Sequence, residues 1–315
     1  MKITVAAIGA WTAFGVGGVR AQDYPTRPVE ITVAFTPGAV TDIFARSLAD
    51  GFSQRLGQRF IVVNKAGATG AIGSAAVARA APDGYSLLFT PAVSITVLPL
   101  QNQAVGYTHK SFDTICQTFK NEMVIIARPG SKFKKAADVI ATAKADPGGV
   151  SYGHLGIASI PHLAMTELSI YANVSFNAIP FKGDADVMQT VLGGHTDFGA
   201  VVLSSAVGSG LDIIGLFGDH RNPAIPDTPT LKEQGFDVAP VSFGGIVTPA
   251  GTPAPVKARL AEACRFAALG EGYRKLARSV GQPVDYYSDG AAFAQRLDRD
   301  VIDKARLLKA LGELK

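Results

Sequence analysis

Two short apolar runs, VEITVAF (29–35) and FIVVN (60–64), have the length and β-branched content of buried strands. Between them Phe44, Leu48, Phe52 and Leu56 recur four apart, on one face of a helix. The same unit follows at once: FIVVN leads through a glycine-rich turn into the alanine-rich segment AGATGAIGSAAVARAA (66–81), and PDGYSLLFT (82–90) supplies the next turn and strand. Strands that alternate with helices are joined by crossovers rather than hairpins, so the pattern predicts α/β structure with a mainly parallel sheet and helices on both faces.

The rhythm restarts near residue 124. MVIIARP (123–129), the helix KKAADVIATAKAD (134–146), VSYGHL (150–155), a helix over PHLAMTELSIYA (161–172), IPFKG (179–183), the helix DADVMQTVLGG (184–194), TDFGAVVLS (196–204) and LDIIGLFG (211–218) continue it. After TPTLKEQGF (228–236) the segment VSFGGIVTPAGTPAPVKARLAEACRFA returns to strand, proline-rich turn and long helix, and DGAAFAQRLDRDVIDKARLLKALG ends as an amphipathic helix. The expected organisation is two lobes, 22–124 plus 246–315 and 125–245, each a mainly parallel sheet flanked by helices, with a cleft between them.

With 47% hydrophobic and 18% charged residues in 315, the chain can bury large cores, which excludes disorder and coiled coil. Residues 1–21 read as an export signal: one early charge at Lys2, an apolar stretch from Ile3 to Val19, and Val19-Arg20-Ala21 as a small-x-small cleavage site. The alternative, a membrane anchor, is disfavoured because the stretch is short for a span, carries glycines and has no basic stop-transfer flank. No cysteine follows the signal to carry a lipid, so the expected location is the periplasm of a Gram-negative bacterium. Without Lys2 and Arg20 the 30 basic residues become 28 against 26 acidic ones, a formal charge of +2. That weak balance, and the absence of basic runs interleaved with aromatics, argue against nucleic acid. Cys116 and Cys264 stand too far apart in sequence for their pairing to be read from it.

The stretch FTPGAVTDIFAR poses a sharper question, because an apolar strand runs through a Pro-Gly turn directly into a helix with few charges at the junction. Such a junction is either a plain connection or a place where backbone N–H groups at the positive end of a helix meet an anion. Rival chemistries find little support. GATGAIG, Gly67 to Gly73, is spaced G-x-x-G-x-x-G rather than as a dinucleotide fingerprint. The five histidines form no ligand-spaced pair with each other or with a cysteine, so no metal is expected. There is no G-x-S-x-G elbow; a periplasmic hydrolase or a carboxylate sensor using the same cleft is the alternative reading, and no enzyme activity, catalytic residue or cofactor is expected.

The ordered segments YPTRPVEITVAFTPGAVTDIFAR, VVNKAGATGAIGSAAVARAAPDGYSLLF, ASIPHLA, IPFKGDADVMQTVLGGHTDF, IPDTPTLKEQGF and GGIVTPAGTPAPV resemble the Bug family, the periplasmic substrate-binding proteins of tripartite tricarboxylate transporters. The resemblance spans nearly all of the mature chain. It implies a two-lobe periplasmic-binding-protein fold and a monomer that captures a dicarboxylate, tricarboxylate or aromatic acid and hands it to a membrane permease. It also answers the question above: the carboxylate is expected on backbone N–H groups. The first jaw would be Phe35, Thr36, Pro37, Gly38, Ala39, Val40, Thr41 and Asp42, and the second Ala66, Gly67, Ala68, Thr69 and Gly70, with Thr90 beside them. The other lobe would contribute Ile157, Ala158, Ser159, His162, Phe181, Lys182 and Ser204, and Phe243 would add a wall.

Among these, His162 reads as a packing and capping residue before a ligand contact, and Lys182 is the best-placed cation. Phe35, Phe181 and Phe243 are as compatible with core as with a pocket wall. Two departures from the family pattern bear on the ligand. Thr36-Pro37-Gly38-Ala39 stands where Pro-Pro-Gly-Gly is usual, and the turn from Gly156 to His162 carries more apolar bulk than the usual glycine-rich one, implying a smaller or more apolar far end of the pocket.

Overall fold

The computed structural model describes residues 24–238, 242–284 and 286–314; the expected export signal lies outside the described residues. In chain order the first part comprises β1 (Val29–Val33), α1 (Val40–Leu56), β2 (Phe60–Asn64), α2 (Ala71–Ala78), β3 (Ser86–Pro91), the one-turn helices α3 (Val93–Thr96) and α4 (Leu98–Gln101), and β4 (Phe112–Asn121). The second part comprises β5 (Met123–Ala127), α5 (Ala136–Ala145), β6 (Ser151–His154), α6 (Ile160–Ala172), β7 (Asn177–Pro180), α7 (Asp184–Leu192), β8 (Phe198–Val202), α8 (Leu203–Ala206) and β9 (Asp212–Phe217). The chain ends with β10 (Ser242–Pro249), α9 (Ala254–Ala268), α10 (Glu271–Ser279), β11 (Ser288–Asp289) and α11 (Gly290–Ala310).

Two sheets result, ordered β11-β4-β10-β3-β1-β2 and β7-β6-β8-β5-β9. Each is mixed, which corrects the expectation of mainly parallel sheets. The β1–β2, β1–β3, β6–β7 and β6–β8 pairs are parallel, whereas β10 runs antiparallel to β3 and β4, β11 to β4, and β5 to β8 and β9. The cause is the connectivity. The chain passes from one sheet to the other through Glu122, directly between β4 and β5, and returns along β10, so strands that carry it between sheets run against those built from strand–helix–strand crossovers.

The period-four stripe of α1 does what its spacing requires: Phe44, Leu48 and Phe52 are fully buried against β1 and against α9, in a core that also takes Leu260, Ala263 and Tyr273. On the opposite face α2, α3 and α11 enclose Leu88, Ile95, Phe243, Phe293 and Leu297. In the second sheet α5 and α6 cover one face with Val139, Ile140, Met165 and Leu168, and α7 and α8 cover the other with Val187, Val191 and Leu203. A further apolar cluster of Val97, Ala158, Leu163, Leu307 and Leu308 joins the two halves through α6 and α11, with Arg306 and Glu167 3.6 Å apart at its margin. Cys116 on β4 and Cys264 on α9 form a disulfide that ties the first sheet to its covering helix.

Candidate functional site

The parallel strands determine where the loops gather. β1, β2 and β3 end together, so Phe35 to Ala39, Lys65 to Gly70 and Pro91 to Ser94 share one edge of the first sheet. β10 starts there too, since Gly244 pairs with Pro91 and Gly245 with Thr90. In the second sheet β6, β7 and β8 end at Leu155–Ser159, Phe181–Gly183 and Leu203–Ser205. Carboxyl ends of parallel strands are where open α/β sheets meet their ligands. Of the sequence-predicted site residues, all but Thr90, inside β3, and Phe243, inside β10, fall on these strand ends or on the first turn of the helix that follows. The two edges come together in one apolar cluster that includes Ala158, with Val93 partly buried against it.

At the first turn, Gly38 has φ +81 and Ala39 is the extended N-cap of α1, supplying no side-chain cap. The amide of Gly38 is already engaged, donating to Asp42 Oδ2 at 2.9 Å. Asp42 is buried, and its carboxylate also accepts from Arg46 Nε and Nη2, each at 3.0 Å, and from Asn64 Nδ2 at 2.9 Å. Burial opposes its ionisation, but the Arg46 guanidinium, the Gly38 amide and Asn64 together hold the carboxyl below its usual range. Asp42 therefore braces the turn from behind. Asn64 also donates to the Phe35 carbonyl at 3.0 Å, and Phe35 packs on the core. Thr36 accepts from the Ala39 amide at 3.2 Å through its carbonyl, closing the turn around Pro37. The amides of Val40, Thr41 and Asp42 have no acceptor among the described residues, as the first turn of an uncapped helix requires.

The second turn contains a run of positive φ: Gly67 (+132), Ala68 (+47), Thr69 (+54) and Gly70 (+94). Two of the four are not glycine, a conformation that costs roughly 1–2 kcal/mol per residue and marks a turn held by its surroundings. What holds it is visible: Gly70 donates to the Gly67 carbonyl at 3.0 Å, Ser94 Oγ donates to the Thr69 carbonyl at 3.2 Å, and a Cβ on Gly70 would sit 2.5 Å from Ser94 Oγ. Ala66 precedes the run and is exposed; the amides of Ala68 and Thr69 have no acceptor among the described residues. Among the described residues, the amides of Val40, Thr41, Asp42, Ala68 and Thr69 on this edge thus have no protein acceptor.

Across from them, Ser159 caps α6, accepting from the His162 amide at 3.4 Å, and Ile157 is 63% exposed. His162 is buried, its ring stacked on that of His154 with centroids 4.2 Å apart. Burial and the neighbouring His154 push its pKa down to about 4. Phe181 packs into the core beneath α7, whereas Lys182 is exposed and has no ion-pair partner among the described residues. Ser204 is exposed at the start of α8; beside it Ser205 Oγ donates to Asp184 Oδ2 at 2.7 Å, and burial raises the Asp184 carboxyl.

Thr90 is buried with its hydroxyl unpartnered among the described residues. Phe243 is buried edge-on to Phe293, with the Arg296 guanidinium 4.4 Å from its ring centre, and it faces a cavity of about 500 Å³ along α11. None of the other predicted residues lines that cavity, whose lining mixes Arg296, Arg299 and Lys304 with Glu167, Asp219, Asp300 and Asp303. Sequence reasoning missed Arg46, Asn64, Ser94 and His154 as supports of these turns. Only the i, i+4 spacing of Asp42 and Arg46 could have signalled one of them.

Two α/β halves whose strand ends meet, with unpartnered amides and few charges at the edge, define the class of two-lobed solute-binding proteins. The model of the tripartite tricarboxylate transporter family receptor (TctC) matches residues 44–312, and the chain belongs to that family. Among relatives, a Cupriavidus necator protein described as "UPF0065 protein in gbd 5' region" is 34% identical and is covered over 98% of each chain. A TctC solute-binding protein from Polaromonas is similar with a TM-score of 0.81 at 28% identity, covering 91% of this chain and 99% of that one. The periplasmic binding protein BugD is similar with a TM-score of 0.71 at 29% identity, covering 93% and 100%. Two more distant structures from Rhodopseudomonas palustris share the fold, MatC with bound malate (TM-score 0.69, 23% identity, covering 90% and 100%) and Rpa4515 with adipate (TM-score 0.73, 22% identity, covering 92% and 99%). No helix among the described residues is long and apolar enough to cross a membrane.

Proposed function

We propose that this protein captures a small organic carboxylate between its two halves and delivers it to the permease subunits of a tripartite tricarboxylate-type transporter, without chemical conversion. The observation that carries the reading is a group of amides without an acceptor among the described residues, those of Val40, Thr41, Asp42, Ala68 and Thr69, on one strand-end edge, braced from behind by Asp42, Asn64 and Ser94. Amide donors at the start of a helix favour an anion, and a turn that is already braced needs little reorganisation to bind it. Ile157, Ser159, Lys182 and Ser204, at strand ends of the other half, would complete the site, with Lys182 the one uncompensated cation among the described residues of the proposed set. The Cys116–Cys264 disulfide suits an oxidising compartment and supports a periplasmic location after removal of residues 1–21. Malate and adipate in the more distant neighbours guide the choice of probes.

The halves 22–124 plus 246–315 and 125–245 would move as bodies about Glu122 and the return into β10. A thermal-shift screen of mono-, di- and tricarboxylates tests the reading: a ligand at 100 times its Kd adds about 2.7 kcal/mol of stability. Recovery of the hit unchanged after incubation is expected. A screen with no stabilising carboxylate, or conversion of the hit by pure protein, refutes the proposal.

A further inference from the structure

The turn between β6 and α6 is held from behind by two imidazoles. We propose that His154 and His162 are positioning residues that fix the peptide planes on either side of Ile157 and so aim its backbone at the ligand. The inference rests on the carboxylate-binding reading above and adds to it how the second half presents its contacts.

Hydrogen-bond partners define both tautomers. His154 Nδ1 lies 2.9 Å from the Gly156 carbonyl, which only accepts, so the proton is on Nδ1 and Nε2 is bare. The Ala158 amide donates to His162 Nδ1 at 3.1 Å, so that nitrogen is bare and the proton is on Nε2. Two imidazoles of opposite tautomer therefore stack with their planes 25° apart. The Gly156 carbonyl takes a second inward bond from the Ser159 amide at 3.2 Å.

A trans peptide holds its C=O and N–H antiparallel. With the Gly156 carbonyl drawn in to His154, the Ile157 N–H points the other way. With the Ala158 amide drawn in to His162, the Ile157 carbonyl does the same. Gly156 (φ +98) and Ala158 (φ +58) both stand in the left-handed region, and for alanine that conformation needs the bond from His162 to hold it. The exposed Ile157 is thereby left between two fixed planes, its N–H without an acceptor among the described residues and open to a carboxylate oxygen.

Packing alone does not explain the pair. His154 is 0% exposed and its Nε2 has no partner among the described residues, a desolvation cost that an aliphatic side chain of similar size would avoid. The ring of Tyr152 lies 5.5 Å from that of His154, Val93 on α3, Val97 just after it, and Leu307 and Leu308 on α11 share an apolar cluster with the neighbouring Ala158 and Leu163, and the groups that bear on the ionisation of the two rings are each other and the Gly156 carbonyl.

Nitrogen-15 imidazole spectra of the whole, ligand-free protein at pH 7.5 test the geometry directly, and are expected to show the proton on Nδ1 in His154 and on Nε2 in His162; any other assignment overturns the proposal. Asparagine places an acceptor or donor where Nδ1 stood, and leucine keeps the bulk without either. Calorimetric titration with malate is therefore expected to leave His154→Asn and His162→Asn within about threefold of wild-type affinity, while His154→Leu and His162→Leu weaken it about tenfold or more. Leucine variants that bind like wild type refute the positioning role. Should the wild type bind none of malate, adipate and citrate, the carboxylate reading fails. The positioning is then decided by the Ile157 amide resonance, expected to stay put in the asparagine variants and to move in the leucine ones; an unmoved resonance in the leucine variants overturns it.

Discussion

Acidification should expose the cost of holding His162 neutral. Its pKa is about 4 in the folded protein against an ordinary 6.5, through burial first and the neighbouring His154 second, and burial lowers His154 as well. The folded state then binds the proton less tightly than the unfolded chain. The stability tied to the neutral ring is complete above the unfolded pKa and is lost as pH falls toward 4. Taken over the whole interval the loss is roughly 3 kcal/mol, and about 2 kcal/mol of it falls between pH 7 and pH 5.

Buried carboxyls complicate the total, because Glu167, Asp184 and Asp300 are raised by burial and become easier to accommodate when protonated, with the opposite sign. The His162→Asn variant isolates the imidazole: it keeps an acceptor for the Ala158 amide but cannot titrate. Urea unfolding of both proteins at pH 7 and pH 5 should show the wild type losing about 2 kcal/mol more than the variant over that step. Parallel losses would refute the claim that a neutral imidazole is built into this turn.

Removing the disulfide with Cys116→Ala and Cys264→Ala releases a loop of 148 residues, for which the chain-entropy relation gives about 5 kcal/mol; a denaturation midpoint unchanged from wild type would show that the bridge does not constrain the unfolded chain. Asp42→Ala should lower stability by about 1.5–3 kcal/mol by stranding the Gly38 amide and Arg46, and should weaken carboxylate binding as the turn loosens; unchanged calorimetric affinity would mean that the brace does not serve the site. Gly38→Val places a β-branched residue at φ +81, where nothing crowds its Cβ, so the penalty is conformational, and affinity should fall by about an order of magnitude while Lys182→Ala binds nearly normally. The reverse order in titration would make Lys182 the main anchor.

The sequence carried the strand–helix alternation because each crossover unit is local: the stripe Phe44, Leu48, Phe52 faces β1, its own neighbour in the chain. What it hid was everything decided by distant partners. β4, the long strand FDTICQTFKN, has no clean apolar alternation. Yet its Gln117 and Thr118 are buried, because the strand lies between β10 and β11, where Gln117 meets the hydroxyl of Tyr286. Polar residues inside a central strand look like loop until such partners arrive. The antiparallel runs were hidden for the same reason, since a strand's direction is set by the sheet it joins and not by its own residues.

At the candidate site the split is similar. The Pro-Gly turn before α1 announced an uncapped helix start, and the free amides follow from it. Asp42, one turn in, was legible only as part of the first jaw; its partner Asn64 lies 22 residues on, at the end of β2, and makes the Asp42 side chain a brace while its amide has no acceptor among the described residues. His154 and His162 are eight apart, a spacing that would not stack them within a single helix. They meet because a strand, a left-handed turn and a helix start fold back between them, and the positive φ of Ala158 that permits the fold has no signature in an alanine. A site built from backbone amides thus leaves its outline in glycines and prolines, while the side chains that give it rigidity are placed by tertiary contacts.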